Sequence, residues 1–194
     1  MATIIDDLCK EHARFRRYLG WYRDEIDKLS RGGVDYALLD RLARYFAQFP
    51  DELHHKKEDI VYARLEEKTR DRMQALENLH DQHIGLSDRA RRFATIVGAV
   101  LIDQELPIER VVEAAGDYST GLIAHMEGEE EILFEPARRL FTVEDWSLIH
   151  LEIGELYITG INLEKARRAL ALEHELDAYP RYGAVDRGRS PAPV

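Results

Sequence analysis

The feature that most constrains this chain is a four-residue spacing that occurs twice within an apolar stripe. His125 is followed four residues on by Glu129, then by Ile132, Leu133 and Phe134. His54 is followed four residues on by Glu58, then by Ile60, Val61 and Tyr62. Residues four apart on a helix project from one face, so each copy aims an imidazole and a carboxylate at the same point. Two such helices facing each other supply two nitrogens and up to four carboxylate oxygens. That donor set describes a metal site, and more naturally a site for two metals than for one.

The rest of the chain reads as the means of holding it. Residues 3–29 form one helical stripe through Ile5, Leu8, His12, Phe15, Leu19, Tyr22 and Ile26, at steps of three and four, with Gly32 and Gly33 as its stop. A second helix is expected over 35–68, apolar through Leu38, Leu42, Tyr45, Phe46, Phe49 and Leu53. Pro50 should kink it and rotate the His54/Glu58 half. A third, over 70–103, carries Leu76, Leu79, His83, Leu86, Ala90, Phe93 and Val97. Pro107 suits the first turn of a fourth, over 108–140, lined by Val111, Ala115, Tyr118, Leu122, His125, Glu129 and Ile132, with Pro136 distorting its last turns. Each rod is about 40–50 Å long at 1.5 Å per residue, and the short links make consecutive rods antiparallel neighbours. The expected fold is all-α, an up-down-up-down four-helix bundle over residues 1–150.

Short additional helices follow. Thr142 and Asp145 have the spacing of a capping box and open a helix through Trp146, Leu148 and Ile149; residues 163–176 read as another. Residues 151–177 are thus a helical extension. Residues 178–194, rich in Pro, Gly and Arg and without periodicity, read as a disordered tail.

Composition excludes several functions. A net charge of −10 over 194 residues argues against nucleic acid or an anionic membrane as partner. The single cysteine, Cys9, rules out an intrachain disulfide framework and fits a reducing compartment. The first residues, MATIIDDLCKEH, lack the basic start and apolar core of a signal peptide. The longest apolar run, 93–102, falls far short of the roughly 20 residues that span a bilayer. The expectation is a cytoplasmic, soluble protein.

With the helices alternating in direction, His12, His54, His83 and His125 reach the interior within about two turns of one another. Two buried glutamates accompany them, and an unpaired buried carboxylate costs several kcal/mol, so four unrelated core histidines are a poor account of the pattern. Imidazole and carboxylate without thiolate suit iron, manganese or zinc. Six protein ligands are too many for one metal with an open position, and suit two metals bridged by the glutamates with room for solvent or a diatomic molecule.

These residues resemble the hemerythrin-like, or HHE cation-binding, family. The resemblance spans about residues 1–150. It rests on Leu8, Glu11 and His12; on Phe49-Pro50 with His54, His55, Lys57, Glu58 and Asp59; on Leu79, His83 and Gly85; and on His125-Met126 with Glu129, Glu130, Ile132, Leu133, Phe134, Pro136 and Ala137. It implies two iron ions in a carboxylate-bridged non-haem centre, held by His12, His54, Glu58, His83, His125 and Glu129, with manganese or zinc as other occupants. Oxygen-carrying members use five histidines, two of them spaced four apart in the third helix. Here that helix has His80 and His83, three apart, which leaves His80 as ligand, supporting group or surface residue. His55 with Asp59 repeats the four-residue spacing one position along. A one-residue step turns a helix face by roughly 100°, so the two pairs are not expected to serve one site, and the match to His125/Glu129 favours His54.

The expected function is reversible binding of O2 or NO for sensing, storage or delivery, without catalysis. One alternative is di-iron redox or iron-donating chemistry in iron–sulfur repair or in NO or peroxide stress; another is a regulatory module with a structural metal. A ferritin-like protein built on Glu52/His55 and Glu77/His80 is the structural rival, but it leaves His12, His83 and His125 without a role.

Overall fold

The computed structural model describes residues 3–69, 73–101 and 106–180, and all regular structure among them is helical. Helix α1 (Ile4–Lys28) starts where the Asp6 carboxylate accepts the backbone N–H of Thr3 at 2.7 Å. It ends in a turn through Gly32 and Gly33, whose φ values of 85° and 84° suit glycine. Asp35 then caps α2 (Tyr36–Phe46) by accepting the N–H of Leu38.

The second helical run is more disrupted than the expected kink. α2 stops at Phe46, a π-helical turn covers Pro50–His54, and α3 (His55–Glu66) follows. Pro50 has no N–H to continue the ladder of α2. The N–H of His55 reaches back five residues to the Pro50 carbonyl and closes the wide turn. The third run is α4 (Met73–Leu101). The fourth consists of α5 (Ile108–Glu129), a second π-helical turn at Glu130–Phe134, and α6 (Glu135–Leu140). Pro136 removes the N–H that would bond one turn back, and the Glu135 N–H bonds the Glu130 carbonyl instead. Both wide turns adjoin a His/Glu pair. π-Helical turns concentrate at functional sites because they carry one extra residue past a face.

α5 packs against α4 and α1, α2 against α4 and α1, and α3 against α4. The buried apolar side chains form two clusters. One holds Phe15, Tyr18, Tyr22, Tyr45, Phe46, Phe93 and Tyr118. The other holds Ile5, Leu8, Val61, Leu65, Leu76, Leu133 and Phe134. Along α1 the second cluster is met first, at Leu8, then His12, then the first cluster at Phe15. The second run passes from Leu53 in the first cluster, by His54 and Glu58, to Val61 in the second. α4 passes from Leu79 by His83 to Leu86, and the fourth run from Leu122 by His125 and Glu129 to Leu133. The histidines and glutamates thus form a polar layer between two apolar halves.

α7 (Val143–Glu155) begins with the expected capping box of Thr142 and Asp145 and packs on α3. α8 (Leu163–Asp177) packs on α2, burying Ala166, Ala169, Leu172 and Leu176 in the first cluster. Tyr179 also reaches that cluster, its hydroxyl donating to Asp35 at 2.6 Å. Of the segment expected to be a disordered tail, residues 181–194 lie outside the described residues.

Phe15 joins the apolar core to the polar layer. It is fully buried, and its ring meets Tyr45, Phe46, Phe49 and, at 4.8 Å, His54. Phe15→Ala should lower the unfolding free energy by about 3–5 kcal/mol, seen as an earlier urea midpoint at unchanged slope.

Candidate metal centre

The predicted ligands reach the centre from all four helical runs. His12 lies midway along α1 and His83 midway along α4. His54 closes the first π-helical turn and Glu58 follows in the first turn of α3, while His125 and Glu129 occupy the last turn of α5. All six are buried. The His54 Nε2 lies 2.9 Å from Glu58 Oε1, and the His125 Nε2 lies 3.1 Å from Glu129 Oε1, the result expected of four-residue spacing.

Each carboxylate divides its oxygens between two groups of imidazoles. Glu58 Oε1 faces His12 (3.5 Å) and His54, whereas Oε2 faces His83 at 3.6 Å. Glu129 Oε2 faces His12 at 3.4 Å, whereas Oε1 faces His125 and His83, the latter at 3.3 Å. Two overlapping sets result: His12, His54, Glu58 and Glu129, and His55, Glu58, His83 and His125. Within each set one potential ligand atom per residue lies within 4.8 Å of the others. Glu58 belongs to both.

Several of these atoms lack the hydrogen bonds that burial demands. Both oxygens of Glu58, Oε2 of Glu129 and Nε2 of His125 are buried with no hydrogen-bond partner among the described residues. The short N···O distances therefore lack hydrogen-bond geometry at the Glu58 oxygens. His12 Nε2 and His54 Nε2 also approach within 3.2 Å. Lone pairs converging on a common point, each costly to bury unsatisfied, fit a cation between them.

The outer ring nitrogens are engaged elsewhere. The Nδ1 of His12 meets Glu130 (2.9 Å), that of His54 meets Glu11 (2.8 Å), that of His55 meets Asp51 (3.2 Å) and that of His125 meets Gln82 (3.1 Å). Such partners fix the ring and leave Nε2 for a metal. Asp51 is itself held by the Ser87 hydroxyl and by Arg91. The hydroxyl of Tyr62 lies 3.4 Å from Glu129. Of these outer groups, Glu11 and Glu130 stood in the sequence as residues of the motifs that carry the resemblance. Glu11 and Asp51 had a signal: Glu11 directly precedes His12, and Asp51 lies four residues before His55. Gln82 had none.

His55 departs from expectation. It is buried, stacks on His83 with centroids 3.9 Å apart and planes 11° apart, and joins the second set. The one-residue step does turn the helix face, but the centre is wide. His54 lines one half and His55 the other, with Glu58 between them. Asp59, the expected partner of His55, instead sits half-exposed beside His80, whose Nδ1 is 3.2 Å away. The ferritin-like arrangement does not form. Glu52 pairs with Lys165 at 2.8 Å, and His80 is exposed beside Asp59.

The electrostatics follow from two carboxylates buried together. Burial disfavours the charged forms throughout. At His12 it is outweighed by Glu129 and Glu58, which push the pKa up to about 10. Burial also opposes the charged forms of His54 and His83, yet neighbouring carboxylates raise both pKa values. Burial and the neighbouring Glu129 work against ionised Glu58, but His54 and His12 hold its pKa down to about 2. For His55 burial prevails and lowers the pKa to about 4. Without a metal, protons on the imidazoles neutralise Glu58 and Glu129.

The His12 contribution to metal-free stability is present in full below the unfolded value of 6.5 and lost as pH rises through about 10. The Glu58 contribution is present above its unfolded value of 4.5 and lost as pH falls through about 2. Metal-free protein should therefore melt progressively lower as pH rises from 6.5 towards 10. Metal-loaded protein, its imidazoles neutral, should lack that decline. Parallel melting curves against pH for the two forms would contradict this account.

Fold and centre together define a helical-bundle protein with a buried, imidazole- and carboxylate-lined cation site. Its family is equally plain: the model of the hemerythrin HHE cation-binding domain matches residues 3–137, and the chain belongs to that family. All six predicted ligands fall within the match, and α7 and α8 lie beyond it. No curated protein and no solved structure matches the chain. Among the described residues, no helix is long and apolar enough to cross a membrane.

Proposed function

We propose that the protein holds a carboxylate-bridged non-haem di-iron centre that binds O2 or NO reversibly, for sensing, storage or delivery in the cytoplasm. The observation that carries this reading is the division of the Glu58 and Glu129 oxygens between two sets of imidazoles. One carboxylate oxygen facing each way is what bridging requires. On this reading His12 and His54 would hold one iron and His55, His83 and His125 the other, with Glu58 and Glu129 shared between the two. Bound iron would supply the electrons and the open position that a diatomic ligand needs. The chain's own residues orient the imidazoles through Glu11, Glu130, Asp51 and Gln82 and exclude bulk water with Phe15 and Phe134, whose rings flank His54 and His12.

The order in which the four helical runs meet the two apolar clusters, reversing from each run to the next, supports an up-down-up-down bundle around the centre. The space beside His55, bordered by Asp51, Phe46, Leu86, Tyr118 and Leu122, is about 10 Å³, near the lower limit for one water molecule.

Protein prepared anaerobically with excess iron should carry close to two irons per chain by elemental analysis. His54→Ala and His125→Ala should each fall well below that, and His55→Ala should lose iron mainly from one of the two positions. No iron in the parent protein would refute the centre. An absorption change on adding O2 or NO that reverses when the gas is removed is expected. An irreversible change with O2 would favour redox or repair chemistry over carriage.

A further inference from the structure

Resting on the di-iron reading above, the structure assigns a second, outer cation site to Asp59 and His80, which captures the incoming divalent metal and passes it to the centre through His83. Asp59 stands on α3 and His80 on α4, with side chains 46% and 57% exposed. One potential ligand atom from each lies within 4.8 Å of one from His83. His83 is only 8% exposed, and its Nε2 lies 3.3 Å from Glu129 Oε1. It therefore belongs to the outer cluster and to the buried centre at once, a single imidazole joining solvent to the bridging carboxylate.

At three of the other approaches the outer carboxylate already has a cationic partner. Outside His12, Glu130 is paired with Arg16 at 2.8 Å. Outside His54, Glu11 is paired with Lys57, and outside His55, Asp51 is paired with Arg91. Each of these outer carboxylates is thus already neutralised, and its guanidinium or ammonium repels a metal ion. Outside His125 stands the neutral amide of Gln82. Among the described residues, the ion partner found for Asp59 is His80, an imidazole rather than a guanidinium or ammonium. On an acidic protein that attracts cations generally, this is the face where a divalent ion meets a carboxylate and two imidazoles with, among the described residues, no Lys or Arg paired to that carboxylate. Capture exchanges some of its water for Asp59 and His80. Rotation of His83 then offers the inner carboxylates as the next ligands.

Loading of the metal-free full-length chain with Co(II), followed by its ligand-field absorption in a stopped-flow instrument at low salt, tests this. His80→Ala and Asp59→Asn alter exposed side chains and leave the seven buried candidate ligands in place. Each should load about tenfold more slowly than the parent, a modest electrostatic capture effect, and still reach two Co(II) per chain. His80→Lys should load more slowly again. Variants that load at the parent rate would overturn the entry site while leaving the centre intact. Variants that load at the parent rate but hold fewer than two ions would overturn it too, and would make Asp59 and His80 merely a support for His83. Failure of the parent itself to bind Co(II) would count against the centre rather than the route.

Discussion

The structure depends on the burial of two carboxylates, Glu58 and Glu129, side by side in the middle of a helical bundle. Neither is exposed at all, and like charges brought out of water together are among the costliest arrangements a core can contain. Everything around them compensates. Four imidazoles come from α1, the π-helical turn, α4 and α5, and a fifth stands at the start of α3. In the absence of metal, the compensation is by protons, which is why the His12 pKa rises while that of Glu58 falls. A divalent ion bound there would supply the same positive charge more densely and satisfy lone pairs that no hydrogen bond reaches, with little change asked of the helices.

Binding an ion there needs a stiff frame, since ligands must stay within tenths of an ångström of working geometry. The two apolar clusters on either side supply it. Rings contact the candidate ligands directly: Phe134 stacks on His12 at 5.1 Å, and Phe15 meets His54 edge-on at 4.8 Å. The outer carboxylates form a further layer, each tied to a cation. Arg16, Lys57 and Arg91 hold Glu130, Glu11 and Asp51 in place, so that the acids fix imidazole orientation without adding uncompensated negative charge near the core.

The helical class and the six candidate site residues were legible because the candidate site and the buried core use the same stripes. His12 replaces an apolar residue between Leu8 and Phe15, and His83 does so between Leu79 and Leu86. The breaks in the second and fourth runs were less legible. The apolar rhythm continues through Phe49, Leu53 and Val61 whether or not the ladder is intact, so Pro50 signalled a disturbance but not its size. His55 was judged by the helical wheel alone, which treats the site as a point. The centre is wide enough for adjacent residues to line opposite halves. Gln82 lies off the stripes, where periodicity says nothing, and only the folded geometry pairs it with His125.

The helices beyond the family match bear on the same geometry. The second run is the one whose ladder fails just before the ligands, and α7 and α8 lie against it on either side of the break. α8 buries Ala169, Leu172 and Leu176 against α2, and Lys165 reaches Glu52 within the π-helical turn. α7 buries Ile149 against α3, with Arg64 on Glu152 and Lys68 on Asp145. Exposed ion pairs contribute little singly, so most of this clamp is the buried apolar contact, with the charges setting register. Tyr179 extends it to the Asp35 cap of α2. A continuous helix would hold His54 and Glu58 through its own hydrogen bonds. A broken one needs support from outside, and here the chain provides it with its next two helices.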